Sequence, residues 1–417
     1  MTPPGSPRAP LKPGSTRTPP RARAAKDRTG TFPPEPSEAV RGSLAKGPTR
    51  GARRAAQLCD KRPLRLGIIG CGKIAPAYLE VLTRTVPGVV EVVACTDLRP
   101  EAARSRAQQF GIPRACTTEE LLDDPEIDAV ANLTPAPAHH AVNTAVIRAG
   151  KHLFSEKPLA LTREEGQRIL AEAKQREVAV AGAADIFLGP ALQRAQAEIT
   201  AGAIGVPIAA VAVITTDCFD DQHYHDVFRG ALLDVGPYHL GAMTYLLGPI
   251  TRVAASAEIR FAEKPLSVLA KCGSTFRVDQ ASTTAGVLDF ASGAVGTILT
   301  TQDAHTWVGR IEIFGTTGAL VLPDPVLYGG TLVLRSLSGA RRIPMPLPRR
   351  FRGDARGFGV LDLAFAVRGG RRPRADGTWM YHVLDASLAH FDSSKEGRHI
   401  RIDSTFDLPP QLESALW

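Results

Sequence analysis

The sequence predicts a chain of the α/β plus α+β classes: an N-terminal Rossmann domain on a parallel sheet, then a C-terminal α/β domain on a large, mainly antiparallel open sheet. Three observations predict it. A glycine-rich turn, Gly70-Cys71-Gly72-Lys73-Ile74-Ala75, stands between an apolar strand and a helical stretch. Strands and helices then alternate as far as Ala181, the order of a doubly wound parallel sheet. From Ile208 onward the strand-like runs follow one another without helices between them, as in an antiparallel sheet. The expected boundaries are 1–62 for a leader, 63–185 for the first domain and 186–417 for the second.

Each element has its own signal. Leu64–Ile69 is a short apolar run bounded by turn residues, a buried parallel strand. A helix runs from the glycine turn to about Thr85, and Val89–Thr96 is a β-branched strand ending at Asp97. Thr117–Leu122 reads as a short helix with Thr118 as its cap, and Ile127–Leu133 as a strand. Pro137–Ala149 is a helix stopped by Gly150; His152–Ser155 is a strand; Thr162–Arg176 a helix; Val178–Ala181 a strand. Strands 208–216, 252–259, 285–290, 295–301 and 310–314 make up the second sheet, with loops expected at 217–231 and 342–357.

Composition narrows the function classes. The charge of +8 is unevenly spread: residues 1–62 hold 14 Lys and Arg against 4 Asp and Glu, the other 355 residues 36 against 38. The basic character belongs to the leader, which also has 11 of the 33 prolines. That segment cannot bury enough apolar surface to offset its ordering entropy and is expected to be disordered. The folded body is therefore not expected to bind nucleic acid specifically. No run of eighteen apolar residues exists, so no membrane span is expected. Cys59, Cys71, Cys95, Cys116, Cys218 and Cys272 show no Cys-x-x-Cys spacing, which speaks for a reduced, cytoplasmic protein.

The glycine turn has a physical purpose. Gly70 permits the tight turn, Gly72 admits a pyrophosphate to the backbone, and Ala75 allows close helix–strand packing. The free N–H groups of the helix start then face the phosphates. Asp97, 25 residues beyond Gly72, suits the adenosine ribose hydroxyls and so NAD; Arg99 beside it suits the 2′-phosphate of NADP, and a helix cap before Pro100 is a third use for Asp97.

With these come Asn132-Leu133-Thr134-Pro135 and His139, Gly150-Lys151-His152 leading to Glu156-Lys157-Pro158, Gly202-Ala203-Ile204-Gly205, Leu233-Asp234-Val235-Gly236-Pro237-Tyr238, and Glu312-Ile313-Phe314-Gly315-Thr316-Thr317-Gly318. In this order they resemble the glucose–fructose oxidoreductase / inositol dehydrogenase (Gfo/Idh/MocA) family over about residues 63–403. The resemblance implies hydride transfer between NAD (NADP as the alternative) and a sugar, cyclic polyol or sugar derivative. It also implies a homodimer or homotetramer built through the C-terminal sheet. A retained-NAD lyase, glycosidase or epimerase, and a dinucleotide-binding sensor, are the other activities it allows.

The resemblance assigns cofactor contacts to Gly70, Gly72, Lys73, Ile74, Asp97, Thr134, Pro135, His139 and Glu156. It makes Lys157 the active-site lysine; a loop lysine paired with Glu156 is the alternative. Asp234 and Tyr238 stand four apart, one face of a helix. Many relatives place a histidine at the second position and some a tyrosine, so Tyr238 with its neighbour His239 departs from the commoner form. Tyr238 is read as acid/base or substrate anchor, with core packing as the alternative, and His239 as a supporting residue. Asp185 fits either a substrate hydroxyl or a helix cap. His223 and His225, with Asp226, fit substrate recognition, a solvated loop, or a zinc site, though the expectation is no metal. His305 and Trp307 fall where the resemblance puts a substrate-side residue.

Overall fold

The computed structural model describes residues 62–86, 88–216, 230–265, 274–304, 306–351 and 355–412. His223, His225, Asp226, His305, Cys59, Cys218, Cys272 and nearly all of the leader lie outside the described residues.

Six parallel strands form the first sheet: β1 (Leu64–Ile69), β2 (Val90–Thr96), β3 (Arg114–Ala115), β4 (Ala129–Asn132), β5 (His152–Ser155) and β6 (Val180–Gly182), in the order β3-β2-β1-β4-β5-β6. The order turns outward in both directions from β1 and β4, which creates a crevice at their carboxyl ends. Helix α1 (Ala75–Leu79) follows β1 and continues as a π-helical stretch, Glu80–Thr85. Helices α2 (Pro100–Phe110), α3 (Thr118–Asp123), α4 (His139–Arg148) and α5 (Arg163–Gln175) make the later crossovers. The cap of α3 is Thr117 rather than Thr118. Its side chain accepts from the Glu120 N–H while Glu120 accepts from the Thr117 N–H, a reciprocal capping box.

After α6 (Pro190–Thr200) the second sheet begins with β7 (Pro207–Thr215). Two helices follow within the described residues, α7 (Ala231–Asp234) and α8 (Gly236–Leu247), every residue of both buried. Then come β8 (Ile250–Glu258), β9 (Glu263–Pro265), β10 (Thr275–Arg277), β11 (Thr283–Phe290), β12 (Val295–Thr301), β13 (Val308–Gly315), β14 (Gly318–Leu322), β15 (Gly330–Ser336) and β16 (Gly339–Met345). Helices α9 (Phe358–Gly369) and α10 (Gly377–Glu396) and the short β17 (Ile400–Arg401) are the last elements among the described residues. The nine-stranded order is β16-β15-β14-β13-β7-β12-β11-β8-β17, with β9 and β10 paired separately.

This sheet is mainly antiparallel, as expected, with β12 running parallel to β7; the run of strands is interrupted by α7 and α8, contrary to expectation. The helices α7 and α8 carry the chain away from β7, and β12 returns on its far side. Strand β16 was expected to be part of a loop. Its sequence, Gly-Ala-Arg-Arg-Ile-Pro-Met, is an exposed, charged edge with one buried residue, and so lacks an alternating signal. Strands β11 and β12 alternate buried and exposed positions, with one face on the helices and the other outward. Helices α9 and α10, although late in the sequence, pack back on β5 and β6: Gly182 N donates to Ala375 O and Gly359 N to Asp185. No helix among the described residues is long and apolar enough to cross a membrane.

Candidate active site

The crevice at the carboxyl end of the first sheet is built by four tips, those of β1, β2, β4 and β5. At β1, Gly70 adopts φ +100, open to glycine, and a Cβ there would lie 2.7 Å from the Leu133 carbonyl carbon. Gly72, by contrast, faces open space, with nothing within 4 Å of where its Cβ would stand. Lys73 is exposed and Ile74 half-buried. At β2, the Asp97 carboxylate accepts the Cys71 N–H at 2.8 Å and the Arg99 N–H at 2.9 Å. It thus pins the glycine turn while its side chain stays 13% exposed at the crevice, with the Arg99 guanidinium 3.6 Å away.

At β4, Asn132 shapes the next turn. Its Oδ1 accepts from both the N–H and hydroxyl of Thr134, and its Nδ2 donates to Asn143 of α4. Pro135 is exposed at the rim. His139 does not line the crevice as expected. It is 1% exposed, its Nδ1 2.6 Å from the Pro158 carbonyl and its Nε2 2.8 Å from the Thr134 carbonyl. Burial pushes its pKa down, the two carbonyls opposing, and a neutral ring donates to one of them. It clamps the β4 turn to the β5 turn.

At β5, Glu156 and Lys157 part company. The Glu156 side chain accepts the Tyr78 hydroxyl of α1 at 2.7 Å and the Lys157 N–H at 2.9 Å. The Lys157 ammonium instead donates to Asp234 Oδ1 at 2.7 Å, the two side chains 10% and 1% exposed. So the pairing read as Glu156–Lys157 goes to a residue 77 positions away. Tyr238, on the first turn of α8, lies with its ring centroid 5.7 Å from the same ammonium. Its hydroxyl accepts from Arg356; burial raises its pKa, with Lys157 opposing. Behind Lys157, between Pro158, Ala184, Pro237 and Trp379, is a void of about 10 Å³, room for no more than one water.

Asp185 and His239 sit deeper than expected. Asp185 is 1% exposed, accepting from the Tyr328 hydroxyl at 2.7 Å and from Gly359 N. Burial raises its pKa to about 6. Its oxygens tie β6 to α9 and to the loop before β15, and it neither caps α6 nor opens to the crevice. His239 is wholly enclosed within α8, and burial pushes its pKa down to about 3. Both side chains are enclosed by the body of the protein.

Three partners went unseen in the sequence: Tyr78, Tyr328 and Arg356. Tyr78 follows the glycine turn by one helical turn, a position that could have been noticed; Tyr328 and Arg356 lie in irregular segments that carry no pattern. Trp307 donates to Asp324, just ahead of β13. Among the described residues no three His, Cys, Asp or Glu gather as a metal would need, and Cys71, Cys95 and Cys116 are free thiols. A second cavity of about 490 Å³ lies at the opposite, amino ends of β1, β4 and β5, lined by residues such as Arg62, Asp128, Lys151 and Arg368. Its cations are taken: Arg62 pairs with Asp128, Lys151 donates to two carbonyls, and Arg368 to two more.

Two family models match the chain: one described as an oxidoreductase family with an NAD-binding Rossmann fold over residues 64–183, the other as the GFO/IDH/MocA C-terminal domain over 192–321. A levoglucosan dehydrogenase of Pseudarthrobacter phenanthrenivorans is 28% identical over 62% of this chain and 73% of its own length. A myo-inositol 2-dehydrogenase of Thermotoga maritima is 27% identical over 67% and 80%. A 1,5-anhydro-D-fructose reductase of Ensifer adhaerens is 28% identical over 82% and 99%. Among solved structures, a levoglucosan dehydrogenase in complex with NADH and L-sorbose superposes with a TM-score of 0.73 at 24% identity, over 82% of this chain and all of the other.

Proposed function

The chain belongs to the Gfo/Idh/MocA oxidoreductase family, and from that premise we propose that it moves a hydride between NAD and a hydroxyl-bearing carbon of a sugar, cyclic polyol or sugar derivative. The observation that carries this reading is the buried Lys157–Asp234 pair beside Tyr238, at a strand tip of the sheet that bears the glycine turn.

The residues fit the coenzyme. A side chain at position 72 would fill the open space where a pyrophosphate must approach, and Asp97 presents a carboxylate at the tip of β2. That carboxylate favours ribose hydroxyls and disfavours a 2′-phosphate, so NAD is the preferred form. Gly70, Gly72, Lys73 and Ile74 would hold the pyrophosphate, and Thr134 and Pro135 would border the nicotinamide end. Bound nicotinamide supplies the hydride acceptor or donor.

The protein handles the proton. Oxidation of a secondary alcohol leaves the hydroxyl proton to be taken at nitrogen or oxygen within hydrogen-bond reach. Lys157 in its amine form takes the hydroxyl proton as the carbon gives up its hydride, Asp234 stabilises the ammonium so formed, and the Tyr238 ring lies against that ammonium with its phenol placed to anchor the hydroxyl or relay the proton. Lys157, Asp234 and Tyr238 are thus the proposed catalytic set, with the substrate lying between them and the coenzyme.

Val211, Val287, Val295 and Leu299 are 38–45% exposed on the outward face of β7, β11 and β12, and they support assembly of two or four copies through this sheet. The free thiols at 71, 95 and 116 support a cytoplasmic setting. The decisive experiment mixes the protein with NAD or NADP and a panel of polyols and sugars, following absorbance of the reduced nicotinamide. Turnover with at least one polyol and NAD is expected. A folded protein that binds NAD yet turns over nothing in either direction would overturn the reading.

A further inference from the structure

We propose that Tyr78 is a positioning residue for Lys157. By holding the Glu156 carboxyl group against α1, it keeps that group off the Lys157 ammonium and leaves the ammonium to Asp234.

Adjacent residues of opposite charge in a buried site are natural partners, because burial makes an unpaired ammonium costly. Glu156 and Lys157 are adjacent and both are buried, at 6% and 9% exposure. Yet the ammonium reaches Asp234, and Glu156 points the other way. The reason is that both Glu156 oxygens are taken, one by the Tyr78 hydroxyl at 2.7 Å and one by the Lys157 backbone N–H at 2.9 Å. Tyr78 itself is fixed: it is 1% exposed and its ring meets Phe154 of β5 edge-on at 5.7 Å. Burial also holds the phenol well above its ordinary pKa, so it remains an O–H donor through the working range.

The groups that face this pair from the surrounding elements are Asp234, Tyr238, Arg356, Asp185, Tyr328 and His139. Asp185 is held in the same manner, by the Tyr328 hydroxyl at 2.7 Å. The effect of Tyr78 is to link the helix that opens on the phosphate turn to the residue before the reactive lysine. It also sets how much negative charge that lysine feels. The functional weight of this rests on Lys157 being the proton-transfer group proposed above, but the electrostatic effect does not.

The test uses the full chain without coenzyme. Lys157 is labelled competitively with acetic anhydride across the pH range and its acetylation midpoint read by mass spectrometry. In Tyr78→Phe the freed Glu156 turns to the ammonium and the midpoint rises by about one pH unit, a tenfold gain in proton affinity. In Tyr78→Phe/Glu156→Gln it returns to the wild-type value, while thermal melting shows both variants folded. An unmoved midpoint in Tyr78→Phe overturns the proposal, and so does a shift that the second substitution fails to reverse. On the working enzyme the rising pH limb of kcat moves with the label midpoint, and KM for NAD stays within about threefold. A loss confined to KM with the limb unmoved marks a purely structural role and also overturns it. A wild type that turns over nothing would instead sink the proposed reaction, with the labelling result still readable.

Discussion

Lys157 Nζ and Asp234 Oδ1 meet at 2.7 Å across 77 residues of chain, one at the tip of β5 and the other at the end of α7. The pair joins the parallel sheet to the helices that line the second one. Removing one partner of such a buried pair strands the other. Lys157→Ala should therefore lower kcat by roughly 10²–10⁴ while NAD still binds. Asp234→Asn keeps the volume but removes the charge, and a smaller loss, about tenfold to a hundredfold, is expected. Steady-state kinetics with fluorescence titration of NADH checks both; loss of NADH binding in Lys157→Ala would show the lysine to be part of the coenzyme seat instead.

Tyr238 separates two uses of a buried phenol. If it shares the proton, Tyr238→Phe lowers kcat by about 10²-fold or more and leaves the melting temperature nearly unchanged. If it packs, the same substitution loses only the hydrogen bond from Arg356, about 1 kcal/mol of stability, and leaves kcat within a factor of a few. Measuring kcat and Tm on one preparation decides between them.

Asp97 has two functions at once, since it braces the turn through the Cys71 N–H and offers its charge at the crevice. Asp97→Asn keeps an oxygen for Cys71 but withdraws the charge that disfavours a 2′-phosphate. The expected result is a loss of about tenfold in kcat/KM with NAD and a gain with NADP, Arg99 becoming free to take the phosphate. Equal losses with both coenzymes would mean that the brace matters more than the charge.

The first sheet was legible because its signals are local. A glycine turn after an apolar strand needs no tertiary information, and β1, β2 and β5 stand where the pattern puts them. The pairing of charges was not legible. Glu156 beside Lys157 looks like an ion pair in sequence, and only the fold reveals that Tyr78 claims one and Asp234 the other. His139 and Asp185 show the same limit. A polar residue at a strand tip reads as a ligand-facing group, but whether it points into the crevice or back into the body depends on elements far away, here Pro158, Tyr328 and Gly359. Strand β16 was missed for a different reason, since an edge strand defended by arginines lacks the alternation that reveals central strands.

The outward face of the second sheet gives a prediction of assembly. In register, Val287 of β11, Thr297 of β12 and Val211 of β7 stand side by side, with Leu299 one step along the same face. Leu299→Lys puts a charge in the middle of this surface, where burial against another copy would cost several kcal/mol. Sedimentation velocity should show the wild type as a dimer or tetramer and Leu299→Lys shifted to smaller species. A monomeric wild type would leave the face with another role.

Four buried histidines, His139, His239, His382 and His390, weigh on the behaviour in acid, since burial lowers the pKa of each. Burial lowers His239 to about 3, and His382 and His390 to about 4. In the unfolded chain each takes a proton near pH 6.5, so between that pH and the folded value the unfolded state binds more protons. Stability is therefore fully present above about pH 6.5 and is lost as pH falls toward 4, by about 2 kcal/mol for each of these three rings at pH 5, an upper bound since neighbours relax. Asp185 acts in the opposite sense. Its pKa is raised to about 6, so its charged form destabilises the fold above that pH and the penalty fades as pH falls below it. With the four buried histidines against Asp185, urea midpoints should drop on going from pH 7 to pH 5. His390→Gln should shrink the drop and Asp185→Asn should widen it. A midpoint unchanged between the two pH values would mean that these rings gain access to water before the chain unfolds.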